Sequence, residues 1–294
     1  MAALNQILAA HALVSAPSDN GDHHCRDLAE RLKALSKGDF RRMGRGSKMS
    51  LLSAWHCMKS ARGHYEKSAE VAIFHGTGTG NAEGATAIYE DCLIHQAPSP
   101  FKFSGTIASM MNFYISKVLE IEGPSTLITQ EAQSFEWALF LALLSEKDPD
   151  LKLALVGATD VLTDFRPSDI ARVAIDPSLP LGEHSSWILL GREGCGEALG
   201  QMQAPLFLQP AEMWAHLTSL SQATILLRGL GVAHLNFESC PLVTGEDYLQ
   251  HCGYGLCSSA AGIALCVQRG SPGHYCHLSR DPSGIFALAP FQIY

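Results

Sequence analysis

Positive charge is scarce in this chain. It has 21 Lys and Arg against 29 Asp and Glu over 294 residues, a formal net charge of −8. That balance argues against nucleic acid as the main partner, because phosphate backbones are held by a surplus of basic side chains. Long hydrophobic runs are missing as well. The longest mostly apolar stretch, Phe135 to Leu144, is far too short to cross a bilayer. The N-terminal stretch "MAALNQILAAHALVSAPSDNGDHHC" has no basic head before its apolar run. A secretory signal is therefore not expected, and a cytoplasmic location is. The nine cysteines are scattered and odd in number, which reads as reduced thiols, not a disulfide framework. Neither G-x-S-x-G, G-x-x-x-x-G-K-[ST] nor G-x-G-x-x-G occurs at a usable place, so the standard nucleophile elbow and nucleotide loops are excluded.

What is present is a rich apolar content, 47% of residues, ample for one large core or two fused halves. Strand-like and helix-like segments alternate. "LNQILAAHALVS", "AEVAIFHG", "STLIT" and "KLALVGATDVL" read as strands. "SKMSLLSAWHCMKSA", a helix from Asn81 to His95, and "SFEWALFLALL" fall between them. Ile107, Met110, Met111, Tyr114, Ile115 and Val118 lie at helical spacing and predict a helix over 106–119. A Pro-rich stretch from Asp164 to Ser186 reads as an irregular connection between two halves, 1–165 and 166–294. In the second half "SSWILLG", "APLFLQP" and "GVAHLNFES" read as strands, and "AEMWAHLTSLSQATILL" and "CSSAAGIALCVQ" as helices. "HYCHLS" and "GIFALAPFQIY" close the chain as strands. The alternation predicts a layered α/β protein with mainly parallel sheets, and no repeat is visible residue by residue.

Four features bear on chemistry. "HGTGTG", His75 to Gly80, follows a strand and precedes a helix. No lysine follows it, so glycines serving a tight turn and close packing are expected in place of a phosphate cradle. "HYCH", His274 to His277, offers metal-ligand types, but strand neighbours point to opposite faces, so no metal site is expected. Ser134 is the only hydroxyl just past the "STLIT" strand, and it either starts a helix or is a nucleophile. "RRMGRGSK" gathers Arg41, Arg42, Arg45 and Lys48. It reads equally as a solvated face or as a landing patch for an acidic partner.

The stretch from Phe103 to Asp160 resembles the N-terminal half of β-ketoacyl synthases of the thiolase superfamily. "SGTIASMMNFYISKVLEIEGPSTLITQEAQSFEWALFLALL…ALVGATDVL" follows their order of helix, Gly-Pro-Ser turn, strand, elbow, buried helix and closing strand. "RRMGRGSKMSLLSA", "VAIFHGTGTG" and "LGEHSSWILLGRE" resemble further family segments. "HGTGTG" spells the family's catalytic histidine motif but lies in the wrong half, where the family carries a non-catalytic Gly-Thr strand end. His75 is therefore expected to be a bystander, and His234 an ordinary strand histidine.

The resemblance implies an α/β, thiolase-like five-layered αβαβα fold with a shortened C-terminal half. It also implies where catalytic groups should stand. Counting from Gly123 without gaps, the family's active cysteine falls on Ala132, inside Gln130-Glu131-Ala132-Gln133-Ser134, and no cysteine lies between Cys92 and Cys195. Gln133 stands one residue from the place where chain-length factors of type II polyketide synthases carry glutamine. In "HCGYGLCSSAAG", His251 falls on the family's lysine and Leu256 on a catalytic histidine.

Condensation needs a thiolate and donors for the developing oxyanion. The expectation is therefore a catalytically degenerate subunit that forms a heterodimer with an active ketosynthase and shapes an acyl tunnel. Ile107, Ala108, Met110, Met111 and Phe113 are the tunnel or interface candidates. Arg41, Arg42, Arg45 and Lys48 are candidates for docking an acyl carrier protein that bears phosphopantetheine. No cofactor of its own is expected. The alternatives are a malonyl carrier-protein decarboxylase using Gln133, and a stand-alone acyl-binding or scaffold protein.

Overall fold

The structure is a computed structural model that describes residues 3–15, 25–35, 38, 40, 43–61, 70–95, 100–162, 181–232, 235–237, 242–245 and 247–294. Arg41, Arg42, His234 and most of the Pro-rich stretch after Asp164 lie outside the described residues.

The first five strands are β1 (Gln6–Val14), β2 (Val71–Gly76), β3 (Ser125–Ile128), β4 (Leu153–Asp160) and β5 (His184–Gly191). They lie in the order β3-β2-β4-β5-β1. The β2–β3 and β2–β4 pairs are parallel, whereas β4–β5 and β5–β1 are antiparallel. β2, β4 and β5 are buried along their whole length, as expected of strands covered on both faces.

The last strands repeat this plan. β8 (Ile225–Arg228) pairs in parallel with β9 (Val243–Thr244) and β10 (Gly273–Arg280). β10 pairs antiparallel with β11 (Phe286–Ile293), and β11 antiparallel with both β6 (Gly200–Met202) and β7 (Leu206–Leu208). The order β9-β8-β10-β11-β6/β7 is the same third-second-fourth-fifth-first order. The duplication invisible in the residues is thus plain in the topology. β6 also pairs with β1 through Gln201 and Gly200, joining both sets into one 11-stranded sheet.

Three sequence expectations are corrected. Each set is mixed, not mainly parallel, because its fourth-to-fifth and fifth-to-first contacts run antiparallel. The strand set of the first half runs past residue 165 to Gly191, since "SSWILLG" pairs with β4 and β1. The long helix expected through Leu227 stops at Ser219, and residues 225–228 form β8, which takes the place expected for "GVAHLNFES".

Helices fill three layers. α1 (Leu28–Leu35), α2 (Arg45–Ser60) and α5 (Met110–Leu119) cover the outer face of the first strand set. α3 (Ala82–His95) and α4 (Pro100–Ser104) connect β2 to α5. α6 (Ser134–Leu144) lies on β2 and β4, and α9 (Ser258–Arg269) on β1 and β5. These two touch each other and form the central layer. α7 (Pro210–Ser219) packs Met213 and Leu217 on the outer face of the second set. Pro210 opens α7, and the Gln209 amide donates to Glu212 Oε2 at 2.9 Å, which caps the helix. α8 (Leu249–Cys252) leads into α9. Counted through, the layers are αβαβα, with α7 alone in the fifth among the described residues.

The helix expected over 106–119 begins at Met110, and Ile107 lies in the turn before it. Met111 and Ile115 are its buried apolar side chains.

Candidate functional site

The two central helices start at one place. The turn between β3 and α6 is a short 3-10 segment, Glu131–Gln133. Glu131 has a φ of 44°, a left-handed backbone that costs a residue with a β-carbon of order 1 kcal/mol or more. This is the sharp elbow of the chain. Counting without gaps points to Ala132, but the strained residue is Glu131. Ala132 and Gln133 beside it are both buried.

Gly78 sits between the elbow and the start of α9. A β-carbon on Gly78 would stand 2.5 Å from Leu256 Cβ and 2.9 Å from the Glu131 carbonyl oxygen. A β-carbon on Gly76 would stand 2.5 Å from the carbonyl oxygen of Ser134. Only glycine permits either approach. The structure thus brings together the elbow and Leu256, two places that the sequence separates by more than a hundred residues. His251 is not buried with them. It is exposed on the last turn of α8.

Asp160, at the end of β4, organises the loop between β2 and α3, and sequence reasoning missed it. Its Oδ1 accepts from the amides of Gly78 and Thr79, both at 2.9 Å, and from the hydroxyls of Thr79 and Thr77 at 2.9 and 3.1 Å. The amides that would cradle a phosphate are therefore spent on a carboxylate. Burial raises the Asp160 pKa against these donors. The Cys257 thiol faces the same carboxylate, and burial together with that charge pushes the thiol up. A buried thiol so placed is a poor nucleophile. The signal available in sequence was an acidic residue ending an otherwise uncharged strand.

Ser134 starts α6. Its hydroxyl accepts from the Gln130 amide at 2.8 Å and reaches the carbonyls of Glu131 and Thr77 at 2.8 and 3.0 Å. It closes the elbow, and among the described residues its hydroxyl meets only backbone groups. The Gln133 amide nitrogen donates to the Ile285 carbonyl at 2.9 Å, so the elbow is tied to the turn between β10 and β11. One turn along α6, Glu136 is fully buried and accepts from the Ser279 hydroxyl at 2.6 Å. Burial raises its pKa. His277 Nδ1 lies 4.0 Å from Glu136, and its Nε2 is 2.8 Å from the Tyr248 hydroxyl. Burial holds His277 at about 3. This polar seam joins α6 to the second strand set.

His75 points the other way. Its Nδ1 donates to Asn112 Oδ1 at 2.7 Å, since the Asn112 amide nitrogen faces Thr126 O and Ser125 Oγ. Its ring leans on Trp187 at 4.6 Å, within the outer layer. Burial lowers its pKa to about 4. It shares no face with the elbow.

The basic patch is only partly available. Arg45 Nε donates to Glu183 Oε2 at 2.9 Å, and Nη2 donates to the Cys25 carbonyl at 2.7 Å and to Glu183 Oε1. Glu183 is fully buried. Lys48 is half-buried and lines an open cavity of about 540 Å³ with Asp27, Glu30 and Glu83. Among the tunnel candidates, Met111 is buried, Ala108 and Met110 are half-buried, and Ile107 and Phe113 are exposed. Ala108 Cβ lies at van der Waals distance from where a Gly80 β-carbon would be, so it borders the Gly78–Gly80 loop. Among the described residues no group of three or more His, Cys, Asp or Glu is placed to hold a metal ion. None of the described helices is long and apolar enough to cross a membrane.

The family model described as "Beta-ketoacyl synthase, N-terminal domain" matches residues 12–170, more than half of the chain. The chain belongs to the β-ketoacyl synthase family. Solved ketosynthases share its architecture at low sequence identity. "The ishigamide ketosynthase/chain length factor" is 13% identical, with a TM-score of 0.71 over 99% of each chain. A type II PKS acyl-carrier protein in complex with its ketosynthase bound to the hexaketide, AntDE:AntF, gives 10% identity and a TM-score of 0.71 over all of both chains. A β-ketoacyl synthase from Burkholderia phymatum STM815 gives 11% and 0.71, again over all of both. These likenesses show the thiolase-like ketosynthase fold. No curated protein matches the chain in sequence. Within the β-ketoacyl synthase fold, then, the elbow of this chain carries Glu131-Ala132-Gln133 and no thiol.

Proposed function

We propose that this chain is a catalytically degenerate ketosynthase-like subunit of the chain-length-factor kind. It pairs with an active, cysteine-bearing ketosynthase in type II polyketide or unusual fatty-acid synthesis. The observation that carries this reading is the elbow itself. Its strained turn is kept, yet its residues are Glu131, Ala132 and Gln133, and Leu256 packs across Gly78 beside it. A thioester cannot form on alanine or be made by a carboxylate that lacks activation, so the covalent route of condensation is closed.

The surface supports a partner. Tyr89, Leu93 and Ile94 on α3, Phe103 on α4, and Ile107 and Phe113 at α5 are all exposed large hydrophobics within one stretch of chain. Such a concentration marks a contact surface. Among the described residues β3 pairs only with β2. Ala108, Met110 and Met111 next to this surface are the tunnel-wall candidates, where flexible methionine adapts to an alkyl chain. The decarboxylase reading loses support, because one amide hydrogen of Gln133 is committed to Ile285. The carrier-docking role rests on Lys48, Arg41 and Arg42, since Arg45 is engaged with Glu183.

Co-expression with a candidate ketosynthase tests the reading. A stable heterodimer whose product length changes with Met110 and Met111 variants is expected. Release of CO2 from malonyl carrier protein by the chain alone supports the decarboxylase. A monomer that binds acyl chains without any ketosynthase supports the stand-alone protein.

A further inference from the structure

Among the described residues, two cations in the second half make no ion pair. Arg228 ends β8 and Arg280 ends β10, which are neighbouring parallel strands. Leu278 is the register partner of Arg228, and the Arg280 amide donates to the Leu230 carbonyl at 2.9 Å, so the ladder continues past the strand end. Leu226, Cys276 and Leu278 face the outer layer, whereas Leu227 faces the central one and His277 meets Tyr248 there. By alternation Arg228 and Arg280 both lie on the outer face, two residues apart along adjacent strands, with Cα atoms about 8 Å apart.

Neither guanidinium makes an ion pair or hydrogen bond among the described residues, and Arg280 Nε is buried without a partner. The adjacent carboxylate, Asp281, is used inside the turn, where it accepts from the Ile285 amide at 2.9 Å and the Ser283 hydroxyl at 2.7 Å. The Arg280 guanidinium stands 5.6 Å over the Phe286 ring. In a chain with net charge −8, carboxylates are plentiful. A buried guanidinium N–H left open, with a second unpaired arginine on the same face of the neighbouring strand, suits an anion.

We propose that Arg228 and Arg280 form a phosphate-ester site. Paired guanidinium forks match phosphate oxygens. Carboxyl ends of parallel strands are where α/β sheets bind ligands. The site adjoins the Asp281–Ile285 turn, which Gln133 ties to the elbow. That the phosphate belongs to the arm of a carrier protein rests on the functional reading above; the phosphate site itself does not.

The test is calorimetric titration of the intact chain with inorganic phosphate, 4′-phosphopantetheine and unphosphorylated pantetheine. The first two should bind and the third should not. The R228Q/R280Q variant should lose at least tenfold in affinity for both. R228K/R280K, which keeps charge but not the fork, should fall between. Equal binding by the glutamine variant, or pantetheine binding as well as its phosphate, overturns the site. If the glutamine variant fails to fold, the lysine variant decides, and binding undiminished in it contradicts the fork. A holo carrier protein separates the two claims. If free phosphate needs the arginines but holo carrier binds with no loss in the glutamine or lysine variant, the phosphate site stands and its assignment to the carrier's arm is overturned. If free phosphopantetheine needs the arginines but no carrier binds, the site stands and the carrier reading fails.

Discussion

Gly78 and Leu256 touch across the start of the two central helices, so closely that a β-carbon on Gly78 would meet Leu256 Cβ at 2.5 Å. One residue lies in the loop after β2 and the other just before α9. Gly78→Ala should therefore destabilise the chain by about 1–3 kcal/mol, the range of overpacking in a close-packed core. Part of that cost should vanish in the Gly78→Ala, Leu256→Gly double variant, although Leu256→Gly alone is destabilising. A denaturant-based double-mutant cycle reads the coupling. Strict additivity would mean that the two residues do not meet.

Glu136 is a carboxyl group buried in the central layer, with a raised pKa and a hydrogen bond from Ser279. Glu136→Gln keeps the shape and removes the charge, so it should stay within about 1 kcal/mol of the parent at pH 7. Glu136→Ala leaves Ser279 without its acceptor and opens a cavity, and should cost about 2–4 kcal/mol. Chemical denaturation at fixed pH distinguishes them, and equal losses would contradict the polar seam.

His75 is buried with its pKa lowered from 6.5 to about 4. As pH falls, the unfolded chain takes up this proton before the folded chain does. The stability it contributes is complete above pH 6.5 and is lost as pH falls toward 4, about 3 kcal/mol in all. His75→Asn should flatten stability against pH in that window. It should also leave partner-dependent activity nearly intact, because the ring faces Asn112 and Trp187 and not the elbow. A large loss of activity with the fold preserved would reinstate His75 as a working residue.

These residues also show how far the sequence could be read. Strand and helix types follow from residue patterns in β2, β4 and α6, where apolar runs and a Gly-Thr loop leave little choice. The start of α5 and the identity of β8 were misjudged. Ile107 continues the helical spacing of Met110 and Met111 without being in the helix, and Ile225 to Leu227 continue an apolar helix pattern that the chain breaks at Leu220. Periodicity cannot separate a short buried strand from a helix end. The left-handed backbone at Glu131 is not legible in the sequence, since the sign of φ is not written in residue type. The roles of Asp160 and Glu183 depend on contacts across 81 and 138 positions, which no local pattern carries.

Arg45 must not be used as a simple docking probe. Removing it takes the guanidinium from the fully buried Glu183 carboxylate and leaves the Cys25 amide donating to it, so Arg45→Ala should cost about 1.5–3 kcal/mol. Lys48→Glu should leave thermal stability close to the parent while weakening any acidic carrier. Thermal melts and carrier titrations on both variants separate structure from docking. A stable Arg45→Ala chain would contradict the ion pair.

The central claim is that this β-ketoacyl synthase homologue works only beside an active partner. Co-purification with a cysteine-bearing ketosynthase tests it most directly, with Phe113→Glu and Leu93→Glu as controls on the exposed apolar surface. The account predicts a one-to-one heterodimer that forms product of defined length and is lost in both variants while each chain stays folded. A stable monomer that never co-purifies, and whose addition leaves product length unchanged, would contradict it.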